Sequence, residues 1–495
     1  MNQSSEKSKR VLCLLLALLT VGSTMLSCGE EQTDKEGTKD SETVNKETET
    51  ASDTEAEETE LSKLPAADYN EHVFRVLLDE QDGRYVDILT EGKETGDTLN
   101  DLVYRRNLAV EEKYNITIEG EAMDYSDLND LLEKCVQTND TTYDLYLSNT
   151  SATTLATEGY LYAMNELPNV DLSNPWWDQA AVEQLSVGGK AYLVTGDIAP
   201  SSLLTSACLV FNKRLFNDYD ITYPYESAKN GTWTIDSMYS IIKDVTRDMN
   251  ADNLYEYDKD LFSLTSWASD SPYSFFYGCG GMLSAKDSDD YPVISYDMEK
   301  LTSIYDKVYM VIIDSNSHFV DDFDYYDTAY ECFSMGNAFF CDITLQKIDT
   351  FLRDMKDEYG ILPMPKYDES QEAYVSHVNG AVDFALVPSN PENAERTGMI
   401  VEALAAGAYD MITPSLYEVI AKTKNATDVE SGEMVDIIIR NRVFDFYYVY
   451  NLKGYDFVNT LLKKKSTNVA STLDKSNARA EKDLQKIIDA YTAVE

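Results

Sequence analysis

The sequence predicts an α/β fold built around a parallel sheet. Between residues 72 and 147, strand-like and helix-like segments alternate in the order β-α-β-α-β, the pattern of parallel strands joined by crossover helices. The chain beyond residue 60 is also long enough for about three domains by length, or for two large lobes.

His72–Leu78 is rich in Val and Leu and reads as the first strand. Asp97-Thr98 is placed to cap a helix whose Leu99, Leu102, Val103, Ala109 and Val110 recur at helical spacing. Asn115–Glu119 alternates like a strand, Leu128–Val136 reads as a helix, and Tyr143–Leu147 reads as the third strand. In open α/β sheets ligands sit beyond the carboxyl ends of strands, which singles out Ser148, Asn149 and Thr150. Thr153–Tyr162 is expected to be helical. Gly188–Val194 is a turn leading into a strand, and a second run begins with Leu209–Lys213 and a helix at Trp233-Thr234. Pro168–Asp178 carries two adjacent tryptophans in a proline-flanked loop. They serve either as a local mini-core or as ligand contacts, and the mini-core is the ordinary use.

The formal net charge is −47, with 88 acidic residues against 41 basic. Such a surface disfavours nucleic acid and anionic headgroups and favours solubility. Cys135, Cys208, Cys279, Cys332 and Cys341 follow Cys13 and Cys28 without CxxC or metal-like spacing, and read as small buried residues rather than a disulfide framework. Only His72, His318 and His377 exist, far apart, which argues against a histidine zinc site or a histidine-based triad. The 35 tyrosines supply flat faces with a hydroxyl, suited to core packing or to sugar stacking.

At the N-terminus, Lys7, Lys9 and Arg10 precede the nine-residue apolar run Val11–Leu19. That run falls short of the roughly 20 residues a bilayer span needs and has the layout of a secretory signal. Met25-Leu26-Ser27-Cys28-Gly29 resembles the bacterial lipobox, except that Met25 stands where the pattern prefers Leu. The resemblance implies removal of residues 1–27 and lipidation of Cys28. The alternative is an ordinary signal peptide with an incidental cysteine. Residues 29–60 hold 13 acidic residues, three Lys, seven Thr and no aromatic residue. Such a segment cannot bury enough apolar surface to offset its ordering entropy. Residues 28–67 are therefore expected to form a solvated acidic leash.

Several stretches then resemble the extracellular solute-binding proteins of bacterial ABC importers, family 1, the group that includes the maltose-binding protein. They are Arg106-Asn107 with Val110–Ile116, Asp171–Asp178, Phe211-Asn212-Lys213, Asn230–Thr234 and Gly360–Gln371. The resemblance implies a type II periplasmic-binding-protein-like fold: two lobes, each a mixed sheet flanked by helices, with several hinge crossings. By motif position, lobe one is 68–198 plus 385–432, and lobe two is 199–384 plus 433–495. It implies a membrane-anchored protein on the extracellular side, a monomer, which is no enzyme and captures a sugar for an ABC permease. Carbohydrate, an oligosaccharide, is the expected class. The competing readings are a cell-surface glycan-binding protein without a permease, and an extracellular glycoside hydrolase, for which no motif is present.

Three places are implied as ligand-binding. The first is Ser148, Asn149 and Thr150. The second is the hinge segment with Asp197, Ser201, Ser202 and Thr205. The third is Trp267–Gly281, where Trp267, Asp270 and Tyr273 are the candidates. Ala338–Asp342 ends at another possible cleft edge, and Phe446, Tyr447 and Tyr448 offer a further aromatic face that is more often core. No organic cofactor is expected. Asp248, Asn250, Asp252 and Asp260 resemble the oxygen ligands of an EF-hand-type calcium loop, with two departures: Asn253 replaces the glycine and Lys259 falls at position twelve. The other reading of that loop is a set of Asx turns.

Overall fold

A computed structural model of the chain describes residues 59–493 apart from 81–86 and 422–427. Cys28, the signal segment and nearly all of the acidic leash lie outside the described residues.

The first sheet grows from the alternation read above. β1 (His72–Asp79) pairs in parallel with β2 (Ile116–Met123) along its whole length, His72 opposite Ile116 and Asp79 opposite Met123. β3 (Leu145–Ser148) joins β1 on its other side, also in parallel. The crossover helix Thr98–Tyr114 starts where Asp97 accepts the Asn100 N–H at 2.9 Å. It ends at Asn115 in the left-handed conformation, φ 50°. The next helix, Tyr125–Thr138, buries Leu128, Leu132 and Cys135, one stripe at helical spacing.

The second sheet is built from β4 (Ala207–Asn212), β5 (Phe262–Trp267), β8 (His318–Val320), β9 (Ala338–Thr344) and β10 (Tyr359–Leu362). Between β5 and β8 a small hairpin forms from β6 (Ser284–Lys286) and β7 (Pro292–Ile294). The order is β10-β4-β9-β5-β8. β5 runs parallel to β8 and β9, whereas β4 runs antiparallel to β9 and β10. β4, β9 and β10 are buried throughout, which suits their near-continuous apolar runs.

The chain passes between the sheets more than once. Val194 still bridges to the first sheet through Ala385, and β4 begins the second at Ala207. The return runs from β11 (Ser376–His377) through 378–383 to β12 (Phe384–Leu386), which pairs antiparallel with β3 and completes the order β12-β3-β1-β2. After helix Ala394–Met411 the chain crosses again to helix Val429–Arg440, which packs on β10. β13 (Arg442–Val443) then pairs with β11. The two early crossings touch: Thr205 C=O accepts the Asn379 N–H at 3.2 Å, and Ser206 bridges to Val378.

Two local expectations change. The helix expected over 153–162 stops at Thr157, because Gly159 turns the chain at φ 76°. Ala191–Val194 is not a regular strand. Ala191 spends its carbonyl on the Met164 N–H and its own N–H on Asn165, leaving only the single Val194–Ala385 bridge.

The tryptophan loop is a mini-core. Trp176 and Trp177 are buried, and their indole N–H groups donate to the two oxygens of Glu402 at 3.1 and 3.0 Å. Asn174 adds a bond of 2.7 Å to the same carboxylate. Gly196 lies so close that a Cβ there would stand 2.2 Å from the Trp176 carbonyl oxygen. The five cysteines among the described residues are buried and free. No helix among the described residues is long and apolar enough to cross a membrane.

Two consequences are testable. Glu402→Ala strands two buried indole donors and is expected to cost about 3 kcal/mol or more, with Glu402→Gln costing less. Urea unfolding measures both, and an alanine variant within about 0.5 kcal/mol of the parent contradicts the clamp. The second concerns His377, which stacks on Tyr277 at 4.7 Å with both ring nitrogens buried and unpartnered. Burial pushes its pKa down to about 3 from 6.5. The unfolded chain therefore takes up a proton below pH 6.5 that the folded chain refuses until about pH 3. Stability is intact above that window and falls as pH drops through it, by roughly 2 kcal/mol at about pH 5 from this group alone. His377→Phe should flatten the acid limb of stability against pH; an unchanged limb counts against this origin.

Candidate functional site

The carboxyl ends of the parallel strands β5, β8 and β9 open on one edge of the second sheet. Beyond them lies a cavity of about 360 Å³, within the usual range for small-molecule sites. Trp267 is the last residue of β5, and Phe323 and Tyr326 come from the turn after β8. Gln346, Lys347, Thr350 and Phe351 come from helix Leu345–Leu352, which follows β9. Asn379, Gly380 and Ala381 belong to the crossing between the sheets.

The aromatic groups form one continuous wall. Trp267 stands 5.3 Å from Tyr326 and 6.1 Å from Phe323, ring centre to ring centre, and Tyr326 meets Phe351 edge-on at 6.4 Å. Phe323 is 71% exposed, so the wall continues beyond the cavity to the surface. Opposite charges sit against this wall. Asp270 stands at the N-cap position of helix Ser271–Gly278 but makes no side-chain cap. Its carboxylate instead accepts from Lys347 Nζ at 2.7 Å. Lys347 also donates to the Tyr330 hydroxyl at 2.9 Å and lies 4.5 Å above the Trp267 ring. The pair is thus oriented, with Asp270 the one carboxylate among the lining residues.

Asp342 of β9 is buried close to this pair. Burial, reinforced by the like charge of Asp270, holds its carboxyl well above the usual carboxylate range, so it stays protonated.

The first sheet meets this cavity through the crossing. The Thr150 N–H and hydroxyl both donate to the Gly380 carbonyl, at 3.3 and 3.0 Å. Gly380 N–H donates to the Tyr448 hydroxyl at 3.2 Å. A Cβ on residue 380 would stand 3.1 Å from Thr150 Oγ1, so glycine permits the approach.

Of the residues proposed from sequence, the structure brings Trp267 and Asp270 into this cavity and Thr150 to its border. Ser148 is buried and donates to Asn129, and Asn149 donates to Asp79. Ser201 donates through both its N–H and its hydroxyl to Asp87, while Ser202 and Thr205 are buried in the first crossing. Asp197 lies in a separate cavity of about 780 Å³ beside Trp176, Trp177 and Arg442. It accepts the Thr413 hydroxyl, and burial pushes its pKa up to about 7. Tyr273 is buried against His377, Tyr448 and Tyr455. Phe446 and Tyr447 are core, and Tyr448 reaches Gly380 only with its hydroxyl. In the acidic loop, Asp248 accepts the Ala251 and Asn253 N–H groups, and Asp252 accepts that of Leu254. Asn250 accepts the Asp252 N–H, and Asp260 accepts those of Met249 and Glu256. Among the described residues no three His, Cys, Asp or Glu side chains are grouped to hold a metal ion.

No family model matches the sequence, and no curated protein resembles it. Solved structures do resemble the fold. One is a cyclo/maltodextrin-binding protein complexed with maltotetraose, 14% identical, with a TM-score of 0.54 over 86% of this chain and 97% of that one. Another is an ABC transporter solute-binding protein from Thermotoga lettingae bound with α-D-tagatose, 15% identical, TM-score 0.52, over 84% of this chain and all of that one. A third is the maltose-binding periplasmic protein of Listeria monocytogenes in complex with maltose, 14% identical, TM-score 0.52, over 86% and 99%. The fold is that of the two-lobed periplasmic binding proteins. In those terms the first sheet is the core of lobe one, the second sheet is the core of lobe two, and the cavity lies where the crossing between them meets lobe two.

Asp342 offers a check on the electrostatics. Its folded pKa is raised above 3.8, so its contribution to stability is present below that pH and is lost as pH rises. Asp342→Asn keeps the shape and removes the cost of ionisation. The variant is expected to match the parent near pH 4 and to be the more stable of the two near pH 7, by urea unfolding. A variant less stable at the higher pH contradicts a protonated Asp342.

Proposed function

We propose that this protein is the substrate-binding component of an ABC importer, capturing a carbohydrate, an oligosaccharide, in the cleft and handing it to a membrane permease. The observation that carries this reading is the wall of Trp267, Phe323, Tyr326 and Phe351 facing the oriented polar groups Asp270, Lys347 and Asn379. Sugars present apolar ring faces and a fringe of hydroxyls, which such a site matches with stacking and charge-assisted hydrogen bonds. The wall runs out to the exposed Phe323, which suits a ligand longer than the cavity. The sugars named for the structurally similar binding proteins above point the same way.

The mechanism follows from the crossings. A ligand gripped by lobe two and by the Asn379–Ala381 segment favours the closed arrangement of the lobes, and the permease would read that arrangement. Lipidation at Cys28 would hold a monomeric domain on the extracellular face, with the acidic leash setting its reach. A glycoside hydrolase needs two working carboxylates; Asp270 alone lines the cavity, bound to Lys347, and Asp342 is buried.

Titration calorimetry with a panel of malto-, cello- and manno-oligosaccharides tests this reading. One sugar class is expected to bind and to raise the unfolding temperature with concentration. Trp267→Ala should weaken binding at least about tenfold, the loss of one stacking face at roughly 1.5 kcal/mol. Stabilisation by peptides or polyamines and by no sugar would overturn the carbohydrate reading.

A further inference from the structure

A third cavity, of about 450 Å³, lies far along the chain from the cleft residues, between helix Phe457–Lys463 and the start of helix Val469–Ala493. Lys453, Lys464 and Lys475 line it, with Asp456 the one carboxylate among the lining residues. Lys463 and Lys465, the chain neighbours of Lys464, line a different cavity. In a chain where acidic residues outnumber basic ones by 88 to 41, this concentration of positive charge runs against the average surface.

The charge is also uncommitted. Lys213, Lys229, Lys259, Lys286, Lys307 and Lys347 each hold a carboxylate. Among the described residues, none of the five lysines around this turn holds a carboxylate, although carboxylates are abundant elsewhere. Asp456 is occupied by the Thr460 hydroxyl at 3.0 Å. The Ser471 and Thr472 hydroxyls donate to the Asn468 carbonyl, and Ser466 Oγ accepts the Asn468 N–H, so the remaining polar lining is an ordered set: Ser466, Asn468, Ser471 and Thr472. The last three belong to the first turn of a helix 25 residues long, or stand just before it. First-turn N–H groups of a helix have no intrahelical acceptors, and its dipole adds positive potential there.

Three lysines and a helix start lining one concavity suit a compact oxyanion with more than one charged oxygen. We propose that this cavity binds a phosphate-bearing group, whether of a soluble phosphate compound or of a lipid headgroup. Lysine binds phosphate as a point charge, and helix N-termini complete such sites with backbone donors. The proposal is independent of what the cleft carries.

The test titrates the full chain with inorganic phosphate by calorimetry, and separately with vesicles of phosphatidylglycerol plus phosphatidylcholine against vesicles of phosphatidylcholine alone. Phosphate is expected to bind, more weakly as salt rises, because exposed charges are screened. The double variant Lys464→Gln/Lys475→Gln should bind at least about tenfold more weakly, one charge-assisted bond being worth roughly that factor. Lys134→Gln, on helix Tyr125–Thr138 of the first lobe, should bind like the parent. Both altered lysines are exposed, so the unfolding temperature should hold; if it falls, Lys453→Gln takes the place of the double variant. Lysine-dependent binding of phosphate without vesicle binding assigns a soluble source, and lysine-dependent binding of phosphatidylglycerol vesicles assigns a headgroup. Absence of binding to both, or binding that ignores these lysines, overturns the proposal.

Discussion

The antiparallel return of β12 onto β3 fixes the cleft. The pairing of Phe384, Ala385 and Leu386 with Ser148, Leu147 and Tyr146 forces the chain to cross back from the second sheet just before it. That crossing brings Gly380 under Thr150, 230 residues away in sequence. Loop-closure entropy grows only slowly with length, so a few buried ladder bonds suffice to hold such a distant return. Val194 adds to the same ladder through Ala385, and Asn379 ties the return to the outgoing crossing at Thr205. The cavity floor is therefore backbone held at both ends by sheet, while its walls belong to lobe two.

Around this frame, buried ionisable groups oppose one another. His318 and His377 are pushed down by burial, to about 4 and about 3. Asp197 and Asp342 are pushed up. The histidines penalise acid and the carboxyls penalise base, which confines greatest stability to an intermediate pH. Glu402 differs in kind: burial raises it, yet four donors converge on its carboxylate, two of them the indoles of Trp176 and Trp177. A buried carboxylate met by this many donors fixes the geometry of the tryptophan loop, and removing it leaves those donors unpaired.

What was legible in the sequence was local. Asp97 sets a helix start by its own side chain, and alternating or helical spacing marks the segments around it, so the β-α-β-α-β run of lobe one could be read directly. Trp267 and Asp270 were reached through the resemblance to the solute-binding proteins, which pointed to the segment Trp267–Gly281. Lys347, Phe323, Tyr326 and Asn379 were not, since they lie on three separate parts of the chain and nothing in their neighbourhoods marks them. Glu402 sits inside the apolar run of helix Ala394–Met411, where only the tertiary contact with the tryptophan loop gives it a role. Ser201 read as a free hinge hydroxyl, yet its hydroxyl is spent on Asp87, a partner 114 residues earlier.

The measurement that bears most directly on the account is a crystal structure with a bound oligosaccharide. The account predicts a sugar ring stacked on Trp267, with hydroxyls held by Asp270, Lys347 and the Asn379–Ala381 crossing. A sugar seated elsewhere, such as the cavity beside Asp197 and Arg442, with the Trp267 wall left bare, would contradict it.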